Sequence, residues 1–200
     1  MKRSIAIAVA AVALSAAALP AAAGERPYRT KLFAAVSYVS PLSESEQDFT
    51  GVVDSLEATE ELGWEFGIGG RFSERWGFEL SYVNATQDVD FGGDRVGEID
   101  FEPISATLEF HLVPGRAFDL WIGPTVSWVR WGDLELENGT EIETDAESAF
   151  GATLGFDIGL GDRLALTAAL RYLDADADLR GFEALAVDPL FARVGLAVRF

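Results

Sequence analysis

The sequence predicts an all-β protein, an eight-stranded antiparallel up-and-down transmembrane β-barrel preceded by a cleaved signal peptide. Three observations carry that prediction. Apolar and polar residues alternate with period 2 through eight separate segments. The connections between those segments are alternately short turns and long acidic stretches. The apolar faces carry aromatic residues near both strand ends and aliphatic residues between, the pattern of amphipathic rings anchored at two membrane interfaces.

The N-terminus sets the compartment. In "MKRSIAIAVAAVALSAAALPAAAGERP", Lys2 and Arg3 precede an apolar run from Ile5 to Leu19, and small residues follow to Ala23. This is the three-part pattern of a secretory signal peptide, so residues 1–23 are expected to be removed and 24–200 to form the barrel domain. The run is short for a spanning helix and stops at Pro20. Loss of Lys2 and Arg3 moves the net charge from −18 to about −20. A chain so acidic offers no basic footprint, so no nucleic acid is expected as a partner. Cysteine is absent, which excludes disulfides, thiolate metal sites and a cysteine nucleophile.

The strands follow in order. Segment 30–39 puts Leu32, Ala34, Val36 and Tyr38 on one face. Segment 62–72 sets Leu62, Trp64, Phe66, Ile68 and Phe72 against Gly63, Glu65, Gly67, Gly69 and Arg71. Segment 76–84 sets Trp76, Phe78, Leu80 and Tyr82 against Gly77, Glu79, Ser81 and Val83. Segment 103–112 sets Ile104, Ala106, Leu108, Phe110 and Leu112 against Ser105, Thr107, Glu109 and His111. Segment 117–130 alternates Phe118, Leu120, Ile122, Val126 and Trp128 with Asp119, Trp121, Gly123, Thr125 and Ser127. A bulge is expected at Pro124, which has no N–H for a ladder. Segment 149–160 alternates Phe150, Ala152, Leu154, Phe156, Ile158 and Leu160 with Gly151, Thr153, Gly155, Asp157 and Gly159. Segment 163–173 alternates Leu164, Leu166, Ala168, Leu170 and Tyr172 with Ala165, Thr167, Ala169 and Arg171. The last strand, entered through "VDP" at 187–189, alternates Leu190, Ala192, Val194, Leu196, Val198 and Phe200 with Phe191, Arg193, Gly195, Ala197 and Arg199.

Short turns fall at 73–75, 113–116 and 161–162, and long acidic loops at 40–61, 85–102, 131–148 and 174–186. Two unlike ends of this kind, with strands of about 9–11 residues, are the signature of an outer-membrane barrel, which places the chain in the cell outer membrane among membrane lipids and lipopolysaccharide. Phe200 is expected to close the last strand beside the first at the periplasmic girdle, and the C-terminal strand to engage the barrel assembly machinery.

An eight-stranded barrel is just wide enough for side chains to fill, so large inward residues must be interleaved with small ones. Inward charges need partners. Glu65, Glu79, Glu109, Asp119 and Asp157 are expected to face Arg71, Arg171, Arg193 and Arg199, with His111 inward near the periplasmic end.

Three segments, "FDLWIGPTVSWVRW" at 118–131, "ESAFGATLGFDIGLGDRLALTAALRYLDADADL" at 147–179 and "VDPLFARVGLAVRF" at 187–200, resemble the OmpW family of outer-membrane proteins. The Asp-Pro before the last strand, the Tyr-x-Asp after the seventh and the terminal Arg-Phe are the most specific parts. Leu190 stands where that family usually has an aromatic residue after Asp-Pro. The resemblance implies an eight-stranded outer-membrane barrel with a suggested role in passage of small hydrophobic molecules.

No catalytic residue, metal ligand or cofactor is expected. His111 is the sole histidine and sits near the periplasmic end, so a Ser-His-acid site cannot be built at the outer rim. "DADAD" at 174–178 begins like a calcium loop, but Leu179 and Leu185 hold the positions that need Gly and Glu. Two functional readings stand. One is a narrow conduit for small hydrophobic solutes, lined or gated by the inward apolar side chains Val83, Trp121, Val129, Leu173 and Phe191. The other is a structural or adhesive barrel with a plugged interior, whose acidic outer loops contact partners.

Overall fold

The computed structural model describes residues 29–200 except 41, 43–44, 50–51, 59–60, 92–93, 133, 137–140, 143–145, 178–184 and 187. The signal peptide read over residues 1–23 lies outside the described residues. Eight strands form the barrel: β1 (Thr30–Ser40), β2 (Glu61–Arg71), β3 (Trp76–Phe91), β4 (Asp94–Val113), β5 (Phe118–Trp131), β6 (Glu147–Gly159), β7 (Leu164–Asp174) and β8 (Leu190–Arg199). Each pairs antiparallel with the next, and β8 returns to β1 with Lys31 opposite Arg199 and Ser40 opposite Leu190. The sheet therefore closes on itself and leaves no unpaired edge to hydrocarbon. Phe200 sits at the seam. Its amide donates to the Thr30 carbonyl at 2.9 Å, and its carbonyl accepts from the Arg29 amide at 2.9 Å.

The two faces divide as the alternation requires. Leu32, Val36, Phe66, Ile68, Leu80, Ile104, Leu108, Ile122, Val126, Leu154, Val194 and Leu196 stand exposed on the outside of the barrel, while Glu65, Glu79, Glu109, Asp119, Asp157, Arg171, Arg193 and Arg199 are buried inside it. An apolar exterior around a charged interior is the reverse of a soluble protein, and it is stable only where lipid covers the outside. Among the described residues no helix is long and apolar enough to cross a membrane; the crossing elements are the strands.

Two expectations are corrected. The segments read as long loops contain a good deal of strand. β3 continues to Phe91 and β4 begins at Asp94, so most of 85–102 is a hairpin that continues the barrel wall. Ser45–Phe49 pairs with Val52–Ala58, which adds onto β3 with Leu56 opposite Phe91. Leu134–Leu136 adds onto β4 and pairs with Glu141–Ile142, and Asp176–Ala177 pairs with Leu185–Ala186. The physical reason is that the period-2 pattern persists beyond the membrane. Ala85, Ile99 and Phe101 remain buried, while exposed Thr86 and Asp100 replace the apolar residues of the lipid-facing side.

The second correction concerns Pro124, where no bulge forms. The β5–β6 ladder keeps one register straight through Ala152 opposite Pro124, and the β4–β5 ladder omits the two positions at Leu108/Pro124 and Glu109/Gly123 without shifting. The missing N–H is tolerated by a lapse in pairing on one side. The register shifts fall instead between Val89 and Asp90, and between His111 and Val113.

Candidate functional site

The lumen has two parts, and one recurring triplet marks their border. The strands that run toward the long-loop end carry Ser37-Tyr38-Val39, Ser81-Tyr82-Val83, Ser127-Trp128-Val129 and Arg171-Tyr172-Leu173. The aromatic residue of each triplet points outward, in the outer girdle. Its neighbours point inward, polar on the periplasmic side and apolar on the outer side, and all eight are buried. The lumen therefore changes from polar to apolar at the level of the outer girdle.

Below that level the interior is mainly ionic, with a small apolar cluster of Phe33, Ala35, Ala165 and Ala197 among the charges. Five basic side chains, Lys31, Arg71, Arg171, Arg193 and Arg199, meet five carboxylates, Glu65, Glu79, Glu109, Asp119 and Asp157. In the middle, Arg193 donates to Glu65 at 2.7 Å and to Glu79 at 2.8 Å. Arg171 donates to Glu65 at 3.1 Å and to Ser81 at 2.9 Å, and Ser37 donates to Glu65 at 2.8 Å. Further down, the Lys31 ammonium lies 3.1 Å from Glu79 and 3.5 Å from both Glu109 and Asp157. At the periplasmic end Arg71 pairs with Asp119, His111 Nδ1 lies 2.8 Å from Asp119 and Nε2 lies 3.3 Å from Glu109. Arg199 pairs with Asp157 at 3.5 Å and donates to the Arg116 carbonyl at 2.6 Å. Hydroxyls fill the remaining wall, with Ser105–Ser127 at 2.7 Å, Thr107–Thr125 at 2.8 Å and Thr125–Thr153 at 2.7 Å. Such charges are tolerable out of water only because each has an opposite partner at short range.

Glycine makes room for the large members of this network. A Cβ at Gly69 would fall 2.7 Å from Lys31 Cε, and one at Gly155 would overlap the Trp121 indole. Trp121 packs between the Lys31 ammonium, 4.9 Å from its ring, and the Arg193 guanidinium at 6.0 Å.

Above the border the lumen is apolar. Val83, Val129, Leu173 and Phe191 belong to one buried cluster, joined by Val39, Ile99, Phe101 and Trp131. Phe101 is central, with its ring 4.6 Å from Trp131 and 5.6 Å from Phe191. Four of the five residues proposed to line a conduit are thus brought together. Trp121 is not among them; it lies in the charged part, separated from Phe191 by the Arg171 and Arg193 guanidiniums.

This arrangement can be set beside known proteins. The family model described as "Outer membrane protein beta-barrel domain" matches residues 6–200. The chain belongs to that family. It is an outer-membrane barrel, and the OmpW-like resemblance read from the C-terminal segments holds at the level of family and fold. The crystal structure of the outer membrane protein OprG from Pseudomonas aeruginosa is similar at 20% identity with a TM-score of 0.78, covering 88% of this chain and 98% of that one. AlkL, determined by solid-state NMR in DMPC bilayers, is similar at 18% identity and TM-score 0.69, covering 91% and 95%. The E. coli outer membrane protein W is similar at 13% identity and TM-score 0.56, covering 88% and 100%. No curated protein sequence matches the chain.

Within this family fold, sequence reading missed several contributors, among them Lys31, Val39, Ile99, Phe101 and Trp131. Lys31 is the second residue of β1, and Lys31 and Val39 share the inward phase of Ser37 on that strand. Ile99, Phe101 and Trp131 lie in segments dominated by acidic residues. The signal that finds them is the spacing of Ile99 and Phe101 by two, in phase with Ser105 and Thr107 on the same strand.

Proposed function

We propose that the protein admits small apolar molecules from outside into the apolar outer part of its lumen, and that they leave sideways through the barrel wall. The observation that carries this reading is the stacking of an apolar cluster in the outer lumen, which includes Val83, Val129, Leu173 and Phe191, on a charged floor. A solute enters by displacing that packing and makes the outer lumen an apolar compartment. An apolar solute cannot pass that floor without separating buried ion pairs, which costs several kcal/mol for each charge left without a partner. The wall offers less resistance. The β3–β4 main-chain ladder omits the Val83/Pro103 and Asn84/Glu102 positions, beside the compartment and at the level of the outer girdle. There, among the described residues, only side-chain bonds from Tyr82 and Asn84 to Glu102 join the two strands. Trp121 then belongs to the floor rather than to the path. The resemblance to the OmpW family supports a hydrophobic solute as the cargo.

The test is entry of an apolar fluorophore, N-phenylnaphthylamine, into vesicles whose outer leaflet is lipopolysaccharide. The protein is expected to speed entry over protein-free vesicles, and Val83→Trp, which fills the compartment beside the lapse, to abolish the gain. No gain for the unmodified protein would overturn the reading.

A second reading, a structural or adhesive barrel, is favoured by the filling of the lumen, since Val83, Val129, Leu173 and Phe191 are all 0–1% exposed. It expects no gain in either case. In both readings residues 1–23 are taken to be removed on export. The strand ending in Phe200, whose ring is exposed at the seam, is taken to be what the assembly machinery engages.

A further inference from the structure

The floor of the apolar compartment is not itself apolar, and this bears on what the compartment holds. Arg171 lies one inward position below Leu173 on β7, with its guanidinium carbon 5.7 Å from the Phe191 ring centroid. Ser127 lies one inward position below Val129, and Ser105 one below Pro103. An occupant resting on Leu173, Val129 and Phe191 therefore has a guanidinium and two hydroxyls at its inner end.

The guanidinium has donor capacity to spare. Its Nη2 is well used, by Glu65 at 3.1 Å and Ser81 at 2.9 Å. Its Nε reaches Thr153 only at 3.4 Å, and Nη1, with two N–H groups, makes a single bond of 3.3 Å to Ser105 among the described residues. A bare hydrocarbon would cover these donors and answer none of them. A carboxylate would bring a third anion to a layer where Glu65 and Glu79 already balance Arg171 and Arg193. A neutral oxygen accepts a hydrogen bond from Nη1 or Ser105 and leaves that balance intact.

The geometry points to neutral oxygenated hydrocarbons as the preferred ligands, an apolar chain with one alcohol, ketone or ether oxygen held by Arg171 and the adjoining hydroxyls. This inference rests on the proposed function and narrows its cargo. It makes Arg171 a specificity residue and leaves the apolar wall to set affinity for the chain.

The test uses the full barrel in nanodiscs, labelled with 5-fluorotryptophan. Trp131, packed on Phe101 in the compartment wall, is the reporter, its fluorine resonance assigned by Trp131→Phe. Octane, 1-octanol and octanoate are titrated at matched concentrations in the bilayer. The expected result is that 1-octanol half-saturates the Trp131 shift at about one-tenth the concentration octane needs, the gain of one hydrogen bond to a charged donor, while octanoate gains nothing over octane. In the double variant Glu65→Gln/Arg171→Met, which removes one charge of each sign, 1-octanol and octane should become equal. Equal half-saturation by octane and 1-octanol in the unmodified protein, tighter binding of octanoate, or an octanol advantage that survives the double variant would each overturn the inference. The unmodified series decides even if the variant does not fold. Octane shifting Trp131 with no octanol advantage refutes this inference alone, whereas no shift with any probe refutes the proposed function with it.

Discussion

The inside of this barrel is polar where its outside is apolar, and apolar where its outside is polar. Across the lipid-facing band, Leu80, Leu108, Ile122 and Leu154 cover the exterior while Glu79, Glu109, Asp119, Arg171 and Arg193 fill the interior. Beyond the outer girdle the exterior carries Thr86 and Asp100, and the interior turns to Val39, Ile99, Phe101 and Trp131. The inversion follows from what each face meets. Lipid demands an apolar exterior, which removes the hydrophobic drive for a sealed apolar core inside it, so specificity there comes from paired charges. Where the wall rises into water the ordinary arrangement returns, and apolar side chains gather inward. The molecule is a membrane barrel below, and above it the wall strands continue and bury an apolar cluster.

If the lower part is held by charge pairing, the largest loss should follow from removing one charge that serves several partners. Glu79 lies within ion-pair distance of Lys31, Arg171 and Arg193. Glu79→Leu strands buried cations, and about 3–5 kcal/mol should be lost, read as a fall in the urea midpoint for refolding into vesicles. A midpoint within error of the unmodified protein would mean that the lower lumen holds water and screens its charges. Trp121→Ala should cost nearly as much, about 3–5 kcal/mol for a buried large aromatic side chain. It should not change entry of N-phenylnaphthylamine, because Trp121 lies beneath the compartment. Faster entry in that variant would place the solute path through the floor and merge the two parts of the lumen.

The lipid face supplies the next size of effect. Leu154 stands exposed on β6 in the lipid-facing band, and Leu154→Arg should cost about 2–4 kcal/mol, again by the urea midpoint. Its inward neighbour is no safe control. Thr153 is buried, bonded to Thr125 at 2.7 Å and beside Arg171 at 3.4 Å, so Thr153→Arg forces a third guanidinium against Arg171 and Arg193. Refolding of Leu154→Arg as well as the unmodified protein would contradict the assignment of inside and outside on β6.

How much of this was legible in the sequence depends on which part of the barrel is considered. In the lipid-facing band, alternation alone assigned Glu65, Glu79, Asp157, Arg171 and Arg193 to the interior, because apolar and polar residues mark opposite faces. Which charge meets which was not legible. Lys31 and Asp157 are 126 positions apart, and only closure of the barrel brings them together. Above the girdle the marker fails, since the exterior becomes acidic while the strand period continues, and for that reason composition alone makes the stretch holding Ile99 and Phe101 look like loop. The grouping of Trp121 with Phe191 failed for a different one. Period 2 gives the face of a strand but not the height along the barrel, and these two residues lie on opposite sides of the guanidinium layer.

The smallest expected effect sharpens the contrast between inside and outside most directly, because it uses the same chemistry in the other medium. On the exterior at the outer girdle, Glu102 accepts from Tyr82 at 2.7 Å and Asn84 at 3.1 Å, and lies 3.7 Å from the Arg130 guanidinium. The Arg130 side chain is 66% exposed, whereas the Arg193 side chain that faces Glu79 is 2% exposed. Water and headgroup counter-ions screen the outer pair, and Arg130 gives up side-chain freedom to make it. Arg130→Ala should therefore cost less than about 1 kcal/mol, and Glu102 should keep its two hydrogen bonds. A double-mutant cycle with Glu102→Gln, read by the urea midpoint, isolates the coupling between the two. A coupling as large as the loss in Glu79→Leu would mean that the outer girdle excludes water as thoroughly as the lumen does, and the border drawn at Tyr82 and Trp128 would have to move outward.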